Sequence, residues 1–143
     1  HCDPPIEVGN IDGTVKRVIP ITGGRFEGSK IRGSVLPIGA DWNSSAAEDQ
    51  GRRKVDTRYM LQTDDGAIIS LSTIGYSRRS PEIMAARAAG ERIDPASYYF
   101  KQHLFFETAS KKYEWLNYIA AFGIVISKFQ GGPGVIYDAY YLK

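Results

Sequence analysis

The chain has 143 residues, enough for one domain with its own core, and its 43% hydrophobic and 24% charged content is that of an ordinary globular protein. The formal charge of +2 is small and its basic residues are scattered, which argues against nucleic acid as a partner. No apolar run approaches the roughly 18 residues of a membrane-spanning helix, and the single Cys2 excludes an internal disulfide or a cysteine-based metal site.

Nine Tyr, 15 Gly and an aromatic content of 12% favour strands and tight turns. In chain order, Thr14 to Ile21 alternates, is rich in β-branched residues and ends at the turn signal Thr22-Gly23-Gly24. Residues 25–38 read as two short strands around Gly28-Ser29, with Ile31, Val35 and Ile38 pointing inward. The polar, aperiodic stretch 43–54 reads as a surface loop, its Arg52-Arg53-Lys54 run a solvated feature.

Val55 to Gln62 reads as a strand, Asp64-Asp65-Gly66 as its hairpin turn, and Ala67 to Ile74 as the returning strand. Residues 81–90 break the pattern. Ser80 suits the cap of a short helix, Pro81 its first position and Gly90 its stop, with Met84, Ala85 and Ala88 as a modest apolar face. Tyr98 to Glu107 is predicted as a strand, 110–117 as a turn or short helix, 118–129 as a strand, and 134–142 as the last strand after Gly131-Gly132-Pro133-Gly134. Strands, one helix, then strands describe an antiparallel barrel or sandwich with a helical lid.

The segments Gly23-Gly24-Arg25-Phe26-Glu27-Gly28, Leu36-Pro37-Ile38-Gly39-Ala40-Asp41-Trp42, Thr63-Asp64-Asp65-Gly66-Ala67 and Tyr113-Glu114-Trp115-Leu116-Asn117 carry a family signature. In their order and spacing the chain resembles the bacterial and fungal family called DUF3237 or UPF0311, from about Pro4 to Lys143. The resemblance implies a mainly β fold, a lipocalin- or calycin-like antiparallel β-barrel with one short helix, formed by residues 1–143 as a single domain. It gives the fold more firmly than the function. Members of the family begin with another apolar strand where this sequence has only His1-Cys2-Asp3 before Pro4. A missing strand would leave an edge for a partner chain to cover.

Asp41 either caps backbone N–H groups in a turn or faces the interior as an acid, base or acceptor, and Trp42 is either a plug or a stacking wall. Arg58 shares a strand face with Asp56, opposite Val55, Thr57 and Tyr59. It points either to solvent or inward, where it would meet Asp41 or Glu107, or grip an anionic or carbonyl-bearing ligand. Glu107 follows Phe105-Phe106 and Asn117 follows Trp115-Leu116, so both are candidates for a pocket acid and a buried amide. Tyr59, Tyr99, Tyr113 and Trp115 are expected to line an apolar pocket. His103 is the only internal histidine, so no metal is expected, and the chain shows no phosphate loop and no nucleophile elbow.

The catalytic expectation is therefore Asp41, Arg58, Glu107 and Asn117, with Trp42, Tyr59, Tyr99, Tyr113 and Trp115 binding the ligand and no cofactor. The reading is a cofactor-independent enzyme of isomerase, cyclase or lyase type acting on a hydrophobic, oxygenated small molecule. Its alternative is a carrier that binds such a molecule unchanged, and a ligand-free oligomerising scaffold is a third. Partners are expected to be the small molecule and, for assembly, a second copy in a homodimer; nucleic acid and membrane are not expected. The compartment defaults to the cytoplasm, with secretion open through a leader removed before His1.

Overall fold

The structure, a computed structural model, describes residues 1–128 and 134–142. Nine strands make one antiparallel sheet: β1 (Ile6–Ile11), β2 (Thr14–Pro20), β3 (Gly24–Glu27), β4 (Arg32–Ala46), β5 (Arg52–Thr63), β6 (Ile68–Arg78), β7 (Tyr99–Glu107), β8 (Ala121–Lys128) and β9 (Val135–Tyr141). Neighbours run β1-β2-β4-β5-β6-β7-β8-β9, while β3 pairs with the first part of β4 and β2 with its second part. The sheet wraps around a core without fully closing, because β1 and β9 end the order. The mainly β, barrel-like antiparallel fold with one short helix is thus as the sequence implied.

Two long strands organise the barrel. β5 alternates without a break, burying Val55, Thr57, Tyr59, Leu61 and Thr63, and β6 buries Ile69, Leu71, Thr73, Gly75 and Ser77 against it. Their hairpin closes at Asp64-Asp65-Gly66, where Gly66 adopts φ +88°. β4 slips two residues against β5 between Val35 and Gly39. The slip accommodates Pro37, which cannot donate to a ladder. A side chain at Gly39 is excluded: its Cβ would lie 2.2 Å from the Arg58 carbonyl oxygen. The pairing then resumes with Gly39 opposite Tyr59 and sets Asp41 opposite Thr57, which turns Asp41 into the barrel.

The helix α1 (Pro81–Ala88) is capped by Ser80, whose Oγ accepts from the Ile83 N–H at 3.4 Å. It buries no residue fully, and its half-buried side chains are Ile83, Met84 and Ala86 rather than the expected Ala85 and Ala88.

The structure corrects several sequence expectations. Strand β1 was not predicted, because Gly9 (φ +112°) interrupts its alternation with a bulge. It joins β2 through Asp12-Gly13, both at positive φ, as a two-residue hairpin turn requires. The stretch 43–54 is mostly strand: β4 continues to Ala46 and β5 begins at Arg52, leaving a short turn at 47–51. Ile38 does not face inward; it sits in the β4 slip and is 62% exposed. Residues 1–3 run beside the end of β2, with a bridge between Cys2 and Ile21 and the Asp3 N–H donating to Pro20 O at 2.9 Å. The Gly131-Gly132-Pro133 part of the expected final turn lies outside the described residues.

Candidate functional site

The inner face divides into two ends. At one end, Leu61, Ile69 and Leu71 of β5 and β6, Leu104 of β7 and Ala121 of β8 form an apolar core. The segment after β7 plugs it with Tyr113 and Leu116, half-buried Trp115 packing alongside. Its polar groups are spent on holding the plug. Asn117 accepts from the Thr108 N–H at 2.8 Å and donates to Thr108 O at 2.9 Å. The Asp65 carboxylate accepts from Thr63 Oγ1, Lys112 Nζ and the Tyr113 hydroxyl. Those hydrogen bonds hold the Asp65 carboxyl down at about 2.

Toward the other end the inner face turns polar. The register sets Ile19, Asp41, Thr57, Thr73 and Leu104 side by side across five strands. Thr57 and Thr73 hydroxyls are 2.7 Å apart, and Thr73 donates to Gln102 Oε1 at 3.0 Å. Gln102 occupies a slot made by two glycines: a Cβ at Gly75 would lie 2.5 Å from its Cβ, and one at Gly123 3.0 Å from its Cγ. Asp41 accepts from the Asp56 N–H at 3.0 Å and from Asn43 Nδ2 at 3.1 Å. Burial nevertheless pushes its carboxyl above the ordinary aspartate value, outweighing both hydrogen bonds and the attraction of Arg53. Nearby, the hydroxyls of buried Tyr59 and half-buried Tyr137 meet at 2.5 Å, and desolvation raises both phenols. Burial also pushes the Cys2 thiol up, so it is not a ready thiolate.

Beyond Asp41 lies a group of arginines. Arg17 of β2 is 8% exposed, and its Nη2 donates to Gln50 Oε1 at 3.2 Å. Arg53 of β5 donates from Nε to Gln50 O at 3.0 Å. Its guanidinium is pulled down to about 10, first by burial and then by the charges of Arg17, Arg79 and Arg87. Arg79, just after β6, stacks its guanidinium over Tyr98 at 4.9 Å.

Of the residues singled out from sequence, the structure brings Asp41 and Tyr59 to this inner face. It does not bring Arg58 there: Arg58 is exposed on the outer face opposite Ala40, because alternation gives the inner face to Thr57 and Tyr59. The inward arrangement with Asp41 or Glu107 therefore does not form. Trp42 (49% exposed) and Tyr99 (44% exposed) also sit outside. Glu107 is exposed and lines, with Phe106, Thr108, Ala109 and Asn117, a shallow open depression beside the plug. Tyr113 and Trp115 build the plug itself, with Trp115 5.5 Å from the Tyr141 ring, while Asn117 is exposed at its edge and is not the buried amide expected. Among the described residues no group of three His, Cys, Asp or Glu side chains is close enough to hold a metal ion.

Sequence reasoning missed Arg17, Asn43, Arg53, Thr73, Arg79 and Gln102. The signal was phase. Arg53 falls in step with Val55, Thr57 and Tyr59, and Arg79 with Ser77, Gly75 and Thr73, so extending the alternation by one step places each arginine inside.

The comparisons with known proteins agree with the barrel. A crystal structure of a beta-barrel like protein from Acinetobacter baumannii AYE is 46% identical, with a TM-score of 0.81, covering 99% of this chain and 87% of that one. A UPF0311 protein of Clostridium acetobutylicum is 37% identical over 115 residues, 80% of this chain and 72% of the relative. More distantly, the hydroalkoxylation enzyme phnH of Penicillium herquei is 30% identical over 112 residues, 78% of this chain and 58% of that enzyme. A crystal structure of an enzyme from the same fungus superposes with a TM-score of 0.63 at 25% identity, covering 87% of this chain and 75% of that one. The family model described as "Protein of unknown function (DUF3237)" matches residues 1–142, and the chain belongs to that family.

Proposed function

We propose that the chain is an acid–base barrel enzyme, of cyclase or isomerase type, that adds a hydroxyl group across a carbon–carbon double bond of an oxygenated metabolite at Asp41. The observation that carries this reading is the inward Asp41 carboxyl, half-buried beside a row of hydroxyls and an amide, with its affinity for a proton raised by desolvation. A carboxyl in that state is a competent proton donor nearer neutral pH than an exposed one. The family relationship to a hydroalkoxylation enzyme supplies the reaction class.

The protonated carboxyl gives its proton to one alkene carbon, and the π-electron pair forms the new C–H bond. The hydroxyl oxygen of the substrate then bonds to the other carbon, and its proton passes to the Asp41 carboxylate. The acid is restored and no atom is lost, so the product is an isomer. Asn43 and the Asp56 N–H hold the carboxyl in place. In the Thr57–Thr73–Gln102 chain the two hydroxyl protons are used within the chain, which leaves the Gln102 amide N–H as the donor for an oxygen on which charge builds.

The test incubates the protein with a panel of ortho-alkenyl phenols in D2O and follows cyclic ether formation by mass spectrometry and NMR. Deuterium at the new C–H position is expected, and Asp41→Asn should lower the rate about 100-fold or more while the circular dichroism spectrum stays unchanged. Full activity in Asp41→Asn would refute Asp41 as the acid. Saturable binding of the panel with no product from any member would turn the reading to the carrier.

A further inference from the structure

The arginine end holds more positive charge, and more unpartnered polar atoms, than a closed core tolerates. Arg17, Arg53 and Arg79 come from three separate parts of the sheet, and Arg87 of α1 adds its charge to those felt at Arg53 and Arg79. The acids within reach are Glu7 and Asp41. Glu7 is 3.6 Å from Arg17 Nε, an ion-pair distance but too long for a hydrogen bond. Arg17 Nε, Arg79 Nε, Asn43 Oδ1, Ser45 Oγ and Ser77 Oγ are all buried without a hydrogen-bond partner. Each such atom costs about 1–3 kcal/mol, and gathering like charges away from water adds to that.

The cluster is also ordered. Arg17 stands opposite Asn43, Asn43 is followed two residues on by inward Ser45, Ser45 stands opposite Arg53, and Arg53 opposite Ser77. Unpartnered donors and cations thus occupy neighbouring positions across β2, β4, β5 and β6. The turn 47–51 sits at their edge: Gln50 is solvent-exposed yet receives the Arg17 hydrogen bond. The guanidinium of Arg17, itself buried, therefore lies directly beneath the 47–51 turn.

We infer that the arginine end is a carboxylate-binding subsite, taking a hydroxy acid whose carboxylate lies between Arg17 and Arg53 and whose hydroxyl donates to Asn43 Oδ1. The inference rests on the reading of the Asp41 face as the ligand site and specifies the class of molecule it takes. An oxyanion of this shape matches the planar guanidinium fork. It offers acceptors to the orphaned Arg17 Nε–H and to the Ser45 and Ser77 hydroxyls, it balances the Arg53 charge, and the adjoining hydroxyl supplies the donor that Asn43 Oδ1 lacks. A neutral apolar ligand would leave all of these unmet.

Salicylate is the probe, with benzyl alcohol as its neutral counterpart, followed by isothermal titration calorimetry and by thermal shift. Salicylate should bind saturably and raise the melting temperature, whereas benzyl alcohol should do neither at equal concentration. Arg53→Gln and Arg17→Gln should each weaken salicylate at least about tenfold. Arg52→Gln, an exposed neighbour paired with Asp49, should leave it unchanged. Should Arg17→Gln fail to fold, Arg17→Lys keeps the charge without the fork, and an affinity equal to wild type there would overturn the bidentate contact. Absence of saturable salicylate binding, or equal affinity in Arg53→Gln, would overturn the subsite. Asp41→Asn should lose turnover yet still bind salicylate; full turnover in Asp41→Asn with salicylate binding intact strikes the enzyme reading alone, and turnover by a wild-type protein that does not bind salicylate strikes the subsite alone.

Discussion

The two ends of the barrel interior are built by opposite rules. At the plugged end every conspicuous polar residue has a structural partner: Asp65 accepts from Thr63, Lys112 and Tyr113, and Asn117 engages Thr108 with both amide atoms. At the arginine end buried polar atoms stand unpartnered and cations face cations. A fold gains nothing in stability from the second arrangement, and such local inconsistency concentrates where ligands act. The residues that look most like a motif secure the fold, while those placed for chemistry are ordinary strand positions.

The largest expected contrast is in stability. Leu104, 2% exposed, packs in the apolar core beside Leu71 and Tyr113. Leu104→Ala should cost about 2–5 kcal/mol, the price of a lost side chain and a residual cavity. Arg53→Gln, on the same inner face, should leave stability unchanged or raise it, since it removes a desolvated charge repelled by Arg17, Arg79 and Arg87. Urea unfolding of the two variants measures the difference. Equal losses would mean that the two ends are packed alike and that the arginines serve the core.

How much of this was legible in the sequence follows from the same contrast. The hairpin at Asp64-Asp65-Gly66, the helix cap at Ser80-Pro81 and the alternation of Val55, Thr57 and Tyr59 are local signals, and the barrel class follows from them and from the family motifs. Asp41 was legible because Pro37 and Gly39, the latter at φ +134° with no room for a side chain, mark an irregularity just before it, although this is a slip within β4 and not the turn expected. Asn117 was legible as a residue needing partners, but not that backbone would supply them. The arginines were hidden because Arg52-Arg53-Lys54 has the look of a solvated run, and the alternation of Val55, Thr57 and Tyr59 turns Arg53 inward only when it is carried back into a stretch that reads as a loop. Strand β1 was hidden by its Gly9 bulge, and Arg58 was ambiguous until pairing assigned its face.

A smaller effect separates the ends by pH. The Asp41 carboxyl is raised above its ordinary value, so the folded state binds its proton more tightly than the unfolded chain does. Its ionisation therefore takes stability away as pH rises through the window just above the usual aspartate value. Asp41→Asn removes that loss, and its stability advantage over wild type should appear on going from pH 4 toward neutrality. The same variant is expected to be the inactive one, so a gain in melting temperature with loss of turnover would mark Asp41 as a residue kept for function at a cost in stability. A uniform loss at every pH would instead make its hydrogen bonds to Asp56 and Asn43 structural.

The smallest expected effect is at the plugged end and has the opposite sign. Asp65 is held down at about 2 by Lys112, Thr63 and Tyr113, below the 3.8 of an unperturbed aspartate. The unfolded chain thus takes up the proton first, and the stabilisation is fully present above the unfolded value and lost as pH falls from 3.8 toward 2. Asp65→Asn should therefore be less stable than wild type at neutral pH and converge with it in acid. The group is exposed at a hairpin corner, where water and salt screen its ion pair with Lys112, so the difference should be small and should shrink further in added salt. Melting curves between pH 2 and 7 for Asp65→Asn and Asp41→Asn should consequently bend in opposite directions. Parallel curves would show that the two carboxyls, one spent on the fold and one held for chemistry, sit in equivalent environments, and the distinction between the ends would fail with them.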